Sequence, residues 1–342
     1  SRMKDGKVTG NVLKRSVLRQ IKTKRTEVIK GAGIGEDCAF FVPFSGKGSA
    51  ACVQEAAVAV PADMGLLIMR WVNSLAASKA EPVAALLSIA LPKEAEEPLL
   101  KELMQCAEES CAALGIEIAG GHTTVTDAVK LPFVTVTTVG NYAENQKERG
   151  RQASKAAPGQ DILVSKWIGL EGTALLAREY KEVLLQRYPS WLWEEAAGFL
   201  QYQSILPEAA VAAKSGACAM HDISEGGILA ALWELGEGTD VGLTIDIKKI
   251  HIRQETVEGC ELTGANPYAL LSGGSLLMTA ADGLGLKAAL EEAGIPAAII
   301  GKVTDSHDRL LINEEEARYL DRPQPDEIYA AFGRKMEKPE EA

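Results

Sequence analysis

A polar, charged stretch rich in small residues, Gly140 to Gly159, interrupts a regular succession of apolar segments and limits the chain to folds built in two halves. At 342 residues the chain is long for one ordinary domain, so two is the natural expectation. The boundary falls inside that stretch, giving a first domain over 1–150, a second over 155–330 and a frayed charged tail over 331–342. Hydrophobic residues at 46% and charged residues at 24% describe a soluble protein with substantial cores. The formal net charge of -11 argues against a surface built for nucleic-acid phosphates or anionic lipid. Apolar runs break well short of a membrane span and the start carries no signal-peptide pattern, so a cytoplasmic protein is expected. The cysteines Cys38, Cys52, Cys106, Cys111, Cys218 and Cys260 form no C-x-x-C pair, which reads as reduced thiols in that compartment.

In the first half the spacing predicts a helix over Val8–Lys22, strands near Cys38–Val42 and Ala50–Val53, and an apolar helix from a cap at Asp63 to about Ser78. A strand over Ala84–Leu91 follows, then a helix from about Pro98 to Leu114 that stops at Gly115, a short buried strand at Ile116–Ala119, and an alternating strand over Val134–Val139. In the second half, strands are predicted at Asp161–Ser165, Ala217–Met220, Leu277–Thr279, Ala298–Ile300 and Leu310–Ile312. Helices are predicted through Leu175–Tyr180, over Trp191–Gln203 and Glu208–Lys214, through Ile228–Leu235, and around Leu286–Ala293.

The chemistry-bearing residues sit where these elements end. Gly31-Ala32-Gly33-Ile34-Gly35 is followed at once by Glu36-Asp37 and an apolar strand. Glycines expose backbone N–H groups that hold phosphate, and carboxylates hold the magnesium that travels with it. A turn before an edge strand with a solvated acidic pair has the same composition. Three further stretches share the grammar: Asn73-Ser74 inside the apolar helix, Gly120-Gly121-His122-Thr123, and Asp222-Ile223-Ser224-Glu225-Gly226-Gly227. The glycine turn Gly169–Gly172 at a helix start is an anion site by geometry and equally a way to turn a corner.

In order, spacing and identity, Gly-Glu-Asp-Cys-Ala, Gly-Gly-His-Thr and His-Asp-x-Ser-x-Gly-Gly resemble the AIR synthase (PurM-like) superfamily over nearly the whole chain. The resemblance is nearest to its HypE-like hydrogenase maturation factors and AIR synthase-related proteins. It implies an α+β fold in two domains, with an N-terminal mixed sheet that completes a barrel in a homodimer and a C-terminal α/β sandwich. It also implies magnesium-ATP held between the halves, and phosphorylation of an acceptor oxygen. Carried over residue by residue, Glu36 and Asp37 match the acidic pair that binds metal, joined by Glu55. Gly33, Gly35, Asn73, Ser74, Gly120, Gly121, His122, Thr123, Asp222, Gly226 and Gly227 match nucleotide-site positions, and no catalytic residue is singled out.

The departures carry information of their own. Gln54-Glu55 stands where relatives commonly have Thr-Asp, and Asn73-Ser74 where they have Asn-Asp, which removes a carboxylate. His122 replaces the aspartate of members with Gly-Gly-Asp-Thr, although the HypE-like relatives also have histidine there, and imidazole is a soft ligand for magnesium. No cysteine follows Cys260, whereas the HypE carbamoyl carrier is a terminal cysteine. The expected function is thus an ATP-dependent enzyme that activates a small-molecule acceptor. The alternative is a non-catalytic nucleotide-binding relative serving as a regulatory or assembly partner in metalloenzyme maturation. A Rossmann dinucleotide binder is disfavoured, because Gly31, Gly33 and Gly35 lack the third glycine at the fingerprint spacing.

Overall fold

The computed structural model describes residues 10–12, 28–30, 33–35, 39–41, 48–142 and 155–333. They divide into two compact units, an N-terminal one with 28–30, 39–41 and 48–142, and a C-terminal one with 10–12, 33–35 and 155–333. The helix expected over Val8–Lys22 lies outside the described residues except for one turn, α1, at Gly10–Val12.

In the N-terminal unit, β1 (Val28–Lys30), β2 (Ala39–Phe41), β3 (Gly48–Ala57), β4 (Glu81–Pro92), β5 (Glu117–Thr126) and β6 (Phe133–Tyr142) form a sheet in the order β1-β2-β3-β6-β4-β5. All pairings are antiparallel except β4 with β5. The period-two pattern decides what each face does. In β6, Val134, Val136 and Thr138 are buried, and in β3, Ala50 and Cys52 are buried while Val53 and Glu55 are exposed. Helix α2 (Asp63–Ala77) buries Met64, Leu67, Ile68, Trp71, Val72 and Leu75, each contributing roughly 1.5–3 kcal/mol. Asp63, expected as the cap of this helix, lies instead in its first turn, where its charge complements the helix dipole, and Ala62 holds the cap position. Helix α3 (Glu97–Ala113) takes Pro98 into its first turn and ends as expected, with Gly115 at φ 68° donating to Ala112 O.

The short strand expected at Ile116–Ala119 runs on to Thr126, so Gly120–Thr124 is mid-strand rather than a turn. Pairing to β4 satisfies this backbone, which local composition could not reveal.

In the C-terminal unit, β7 (Asp161–Ser165), β8 (Ala217–Ile223), β9 (Gly242–Asp246), β10 (Ser275–Ala280), β11 (Ala297–Thr304), β12 (Arg309–Asn313) and β13 (Glu316–Tyr319) form the second sheet, in the order β13-β12-β9-β11-β7-β10-β8. Its helices are α4 (Leu170–Glu179), α5 (Lys181–Arg187), α6 (Ser190–Ala197), α7 (Leu206–Lys214), α8 (Gly227–Thr239), α9 (Gln254–Thr263), α10 (Gly283–Glu292) and α11 (Glu327–Gly333). The core joins Ile162, Val164, Leu243, Ile245, Leu277 and Ile300 of the strands to Ile228, Leu232 and Leu235 of α8. The single helix expected over Trp191–Gln203 is α6 followed by a 3-10 turn at Gly198–Tyr202. Strands β9 and β13 and helix α9 were not read from the sequence. Residues 331–333 of the expected tail complete α11, with Ala331 fully buried, and 334–342 lie outside the described residues.

Both units are mixed sheets with helices, an α+β architecture. Among the described residues no helix is long and apolar enough to cross a membrane. Cys52, Cys106, Cys111, Cys218 and Cys260 are free thiols. Burial pushes Cys111 up to about 11 and Cys260 to about 12, which leaves both unreactive near neutrality.

Candidate functional site

In the N-terminal unit the dipeptide Gln54-Glu55 sends its two side chains to opposite faces of β3. Gln54 faces α2, where its Nε2 donates to Ser74 Oγ at 3.2 Å. Ser74 in turn donates to Arg70 O at 3.4 Å, and Asn73 and Ser74 are 3% and 1% exposed. Glu55 points to the uncovered face and accepts from Thr135 Oγ1 at 3.4 Å. Glu55 and Ser74, read from sequence as members of one acidic cluster, are therefore separated by the thickness of the sheet.

Register extends the uncovered face into a polar row. Glu55 pairs with Thr135, Thr135 with Ser88, and Ser88 with His122. With strands about 4.8 Å apart, the row puts Glu55 and His122 about 14 Å from each other, too far to share one ion. The adjacent row is Val53, Thr137, Leu86 and Gly120, and Val53 and Leu86 are 60% and 41% exposed.

Gly121 is required by its own strand. The register shifts at Ala85/Leu86, Gly121 takes φ 152°, and a Cβ there would lie 1.8 Å from Leu87 O. His122 and Thr123 are exposed beside it.

Among the described residues no three His, Cys, Asp or Glu side chains cluster to hold a metal. Glu55 with the Thr135 and Ser88 hydroxyls supplies hard oxygens suited to magnesium, but only one carboxylate, so these residues fit as part of such a site. Glu36 and Asp37 lie outside the described residues.

In the C-terminal unit Gly33–Gly35 docks on α8. Gly35 has φ 71°, a Cβ on it would lie 2.6 Å from Glu234 O, and Ile34 joins the core. Glu234 Oε2 is 3.3 Å from His221 Nε2, and His221 Nδ1 is 2.7 Å from Asp222 O. Strand β8 runs through His221 and Asp222, both 4% exposed.

The glycines that follow serve close packing. Gly226 and Gly227 have φ 84° and 64°, and a Cβ on Gly227 would meet Tyr268 O at 2.5 Å. Gly227 N donates to Ser224 O at 3.1 Å and Gly226 N to Asp326 Oδ2 at 2.6 Å. Only Ser224 and Glu225 of this turn are part-exposed. The Gly169–Gly172 turn is a corner: Gly169 N donates to Ser272 Oγ at 2.7 Å and Gly172 N to Leu271 O at 2.8 Å.

A buried carboxylate, Asp326, and a buried ion pair, Lys166 with Glu208, escaped sequence reading. Asp326 is 2% exposed, and burial pushes its carboxyl up to about 6 although Ile328, Gly226 and Leu271 donate to it. The signal was present in Asp326-Glu327-Ile328 after Pro325, an N-cap pattern. Lys166, at φ 53°, meets Glu208 at 2.5 Å and donates to Tyr202 O and Ser204 O, each at 2.8 Å. Burial pushes the Lys166 amine down and the Glu208 carboxyl up. No local sequence signal marks that pair.

Two mixed-sheet units, one with its glycine signature inside a strand and the other with it just after one, are matched by two family models in succession. The AIR synthase related protein N-terminal domain matches residues 16–142, and the AIR synthase related protein C-terminal domain matches residues 157–312. The chain belongs to the AIR synthase related protein family. Among its relatives is the carbamoyl dehydratase HypE of Rhodobacter capsulatus, 28% identical over 252 residues, 72% of this chain and 71% of that one. The fold is shared with hydrogenase maturation protein HypE in complex with ATP, at TM-score 0.66 and 16% identity, over 95% of this chain and 98% of that one. It is shared also with AaThiL complexed with AMPPCP and TMP, at TM-score 0.67 and 20% identity, over 90% of this chain and 96% of that one.

Proposed function

We propose that this chain binds ATP and uses it to phosphorylate, and so activate, a small acceptor. The observation that supports this reading is a recurrence. One fold, over 95% and 90% of the chain, accompanies ATP in a HypE and AMPPCP with TMP in a ThiL. The nucleotide is common to both and the second ligand is not. The acceptor is therefore the variable part, and this proposal leaves it as a class: a small molecule bearing a phosphorylatable oxygen.

Phosphoryl transfer asks a protein mainly to position the triphosphate and neutralise its charge. In this reading Glu55 holds magnesium together with Glu36 and Asp37, and magnesium when bound screens the phosphate oxygens. His122 and Thr123, exposed on edge strand β5, meet the nucleotide directly. Asn73, Ser74, Asp222, Gly226 and Gly227 are buried and act by shaping the surfaces that do. Gly35 sets the segment Gly33–Gly35 against α8, and Gly121, next to Gly120, lets β5 approach β4.

The reading includes a homodimer through the uncovered sheet face, where exposed Val53 and Leu86 gain from burial. Light scattering of the wild type and of Val53→Asp tests this, with a dimer and a monomer expected. A monomeric wild type removes that part.

Turnover of ATP with a panel of phosphate, carboxylate and carbamoyl acceptors, alongside AMPPCP calorimetry, tests the main reading. Acceptor-dependent turnover supports it, and absence of nucleotide binding removes it. A non-catalytic relative acting in metalloenzyme maturation is favoured by one observation, the neutral Gln54–Ser74 pair at the position where the family resemblance leads to the expectation of a carboxylate. Tight AMPPCP binding without turnover on any acceptor selects that reading.

A further inference from the structure

Asp326 lies just ahead of α11, and the nucleotide reading gives it no role. Its two oxygens accept from backbone N–H groups of three segments: Gly226 at 2.6 Å, Leu271 at 3.1 Å and Ile328 at 2.8 Å. A carboxylate 2% exposed is tolerated because these donors replace its water. Two of the three have nothing to do with α11. They belong to the signature turn and to the loop beside it.

The surrounding bonds make turn and loop one piece. Ser272 N donates to Ser224 O at 3.2 Å, Ser272 Oγ to Leu270 O at 2.8 Å, and Gly227 packs against the Tyr268 and Leu270 carbonyls. Because Asp326 occupies the Gly226 N–H, a ligand at this turn meets Ser224 and Glu225, the part-exposed residues, instead of that amide.

We propose that Asp326 is a positioning residue for the signature turn and, through that turn, for the nucleotide site. The proposal rests on the reading that the chain binds ATP. A carboxylate suits this place better than an amide. Asparagine has one acceptor oxygen, so its amide nitrogen would face one of three converging N–H donors. Alanine would leave all three without a partner.

The test compares wild type, Asp326→Asn, Asp326→Ala and Tyr180→Phe. Tyr180 donates to Ala331 O and thus also ties α11 down, but that bond does not reach the turn. AMPPCP affinity is measured by calorimetry at a temperature where every variant is folded by circular dichroism, and amide hydrogen exchange is followed at Gly226, Leu271 and Ile328. Asp326→Ala is expected to weaken AMPPCP by about tenfold or more, with Asp326→Asn between it and wild type. Tyr180→Phe is expected to melt earlier with unchanged affinity. Equal loss of affinity in Tyr180→Phe and Asp326→Ala, or unchanged affinity in Asp326→Ala, overturns the proposal. Should wild type bind no AMPPCP, the function reading falls and exchange alone decides. Loss of protection in Asp326→Asn confined to the three donors' segments supports the positioning role, and a uniform loss across the C-terminal unit overturns it.

Discussion

The two units carry the same vocabulary of glycine, acid and hydroxyl, and they use it in opposite ways. In the N-terminal unit Glu55, Ser88 and His122 stand exposed in a row across a sheet face, placed there by strand register. In the C-terminal unit Asp222, Gly226 and Gly227 are buried, and the Gly226 and Gly227 amides are bonded within the fold. A signature shared with a family thus stands exposed on a sheet in one place and is built into the scaffold in another. Burial, which sequence motifs do not report, separates the two.

The largest effect that sharpens this contrast is expected at Gly227. Alanine there combines a positive φ with a Cβ 2.5 Å from Tyr268 O, a cost of about 3 kcal/mol or more. Urea denaturation reads it, and a loss below about 1 kcal/mol would place the turn among tolerant surface features.

Next in size is the pH dependence contributed by Asp326. Its carboxyl is raised from 3.8 to about 6, so the folded state binds the proton more tightly than the unfolded chain. Stability from this group is fully present below 3.8 and lost as pH rises through about 6. Denaturation of wild type is expected to lose up to about 3 kcal/mol across that window, a slope absent in Asp326→Asn. Parallel profiles of the two proteins would show that the three N–H donors outweigh burial.

Ser74→Asp places a carboxylate at a site 1% exposed, beside Gln54 Nε2 and the Arg70 carbonyl. The expected cost is about 2 kcal/mol. If the family's metal position is in use here, magnesium restores part of the lost melting temperature and tightens AMPPCP binding. A melting temperature indifferent to magnesium assigns Ser74 to helix–sheet packing alone.

The smallest effect on stability is expected at His122, where alanine changes unfolding by no more than about 0.5 kcal/mol because the side chain is exposed on an edge strand. Its nucleotide affinity is the informative measurement. An unchanged dissociation constant removes His122 from the site.

Alternation and helix spacing made most elements legible: β6 from Val134 and Val136, α3 from Pro98 to its Gly115 stop, β7 from its buried run. These signals are local. What escaped is nonlocal. Pairing to β4 turned Gly120–Thr124 from an apparent turn into strand, and the opposite directions of Glu55 and Ser74 follow from helix packing that residue identities alone do not specify. Asp326 acquired its role from amides that are distant in sequence, at Gly226 and Leu271. The order of motifs was readable, whereas the partners that bury or expose them were not.

The docking of Ile34 and Gly35 on α8 bears on how the chain is made. Their contacts lie roughly 200 residues downstream, at Glu234 and Gly238, a separation that penalises closure and slows folding. During synthesis this early segment leaves the ribosome well before its binding surface exists. The C-terminal unit therefore completes this part of its core only after α8 has emerged and captured a piece of chain made roughly 200 residues earlier.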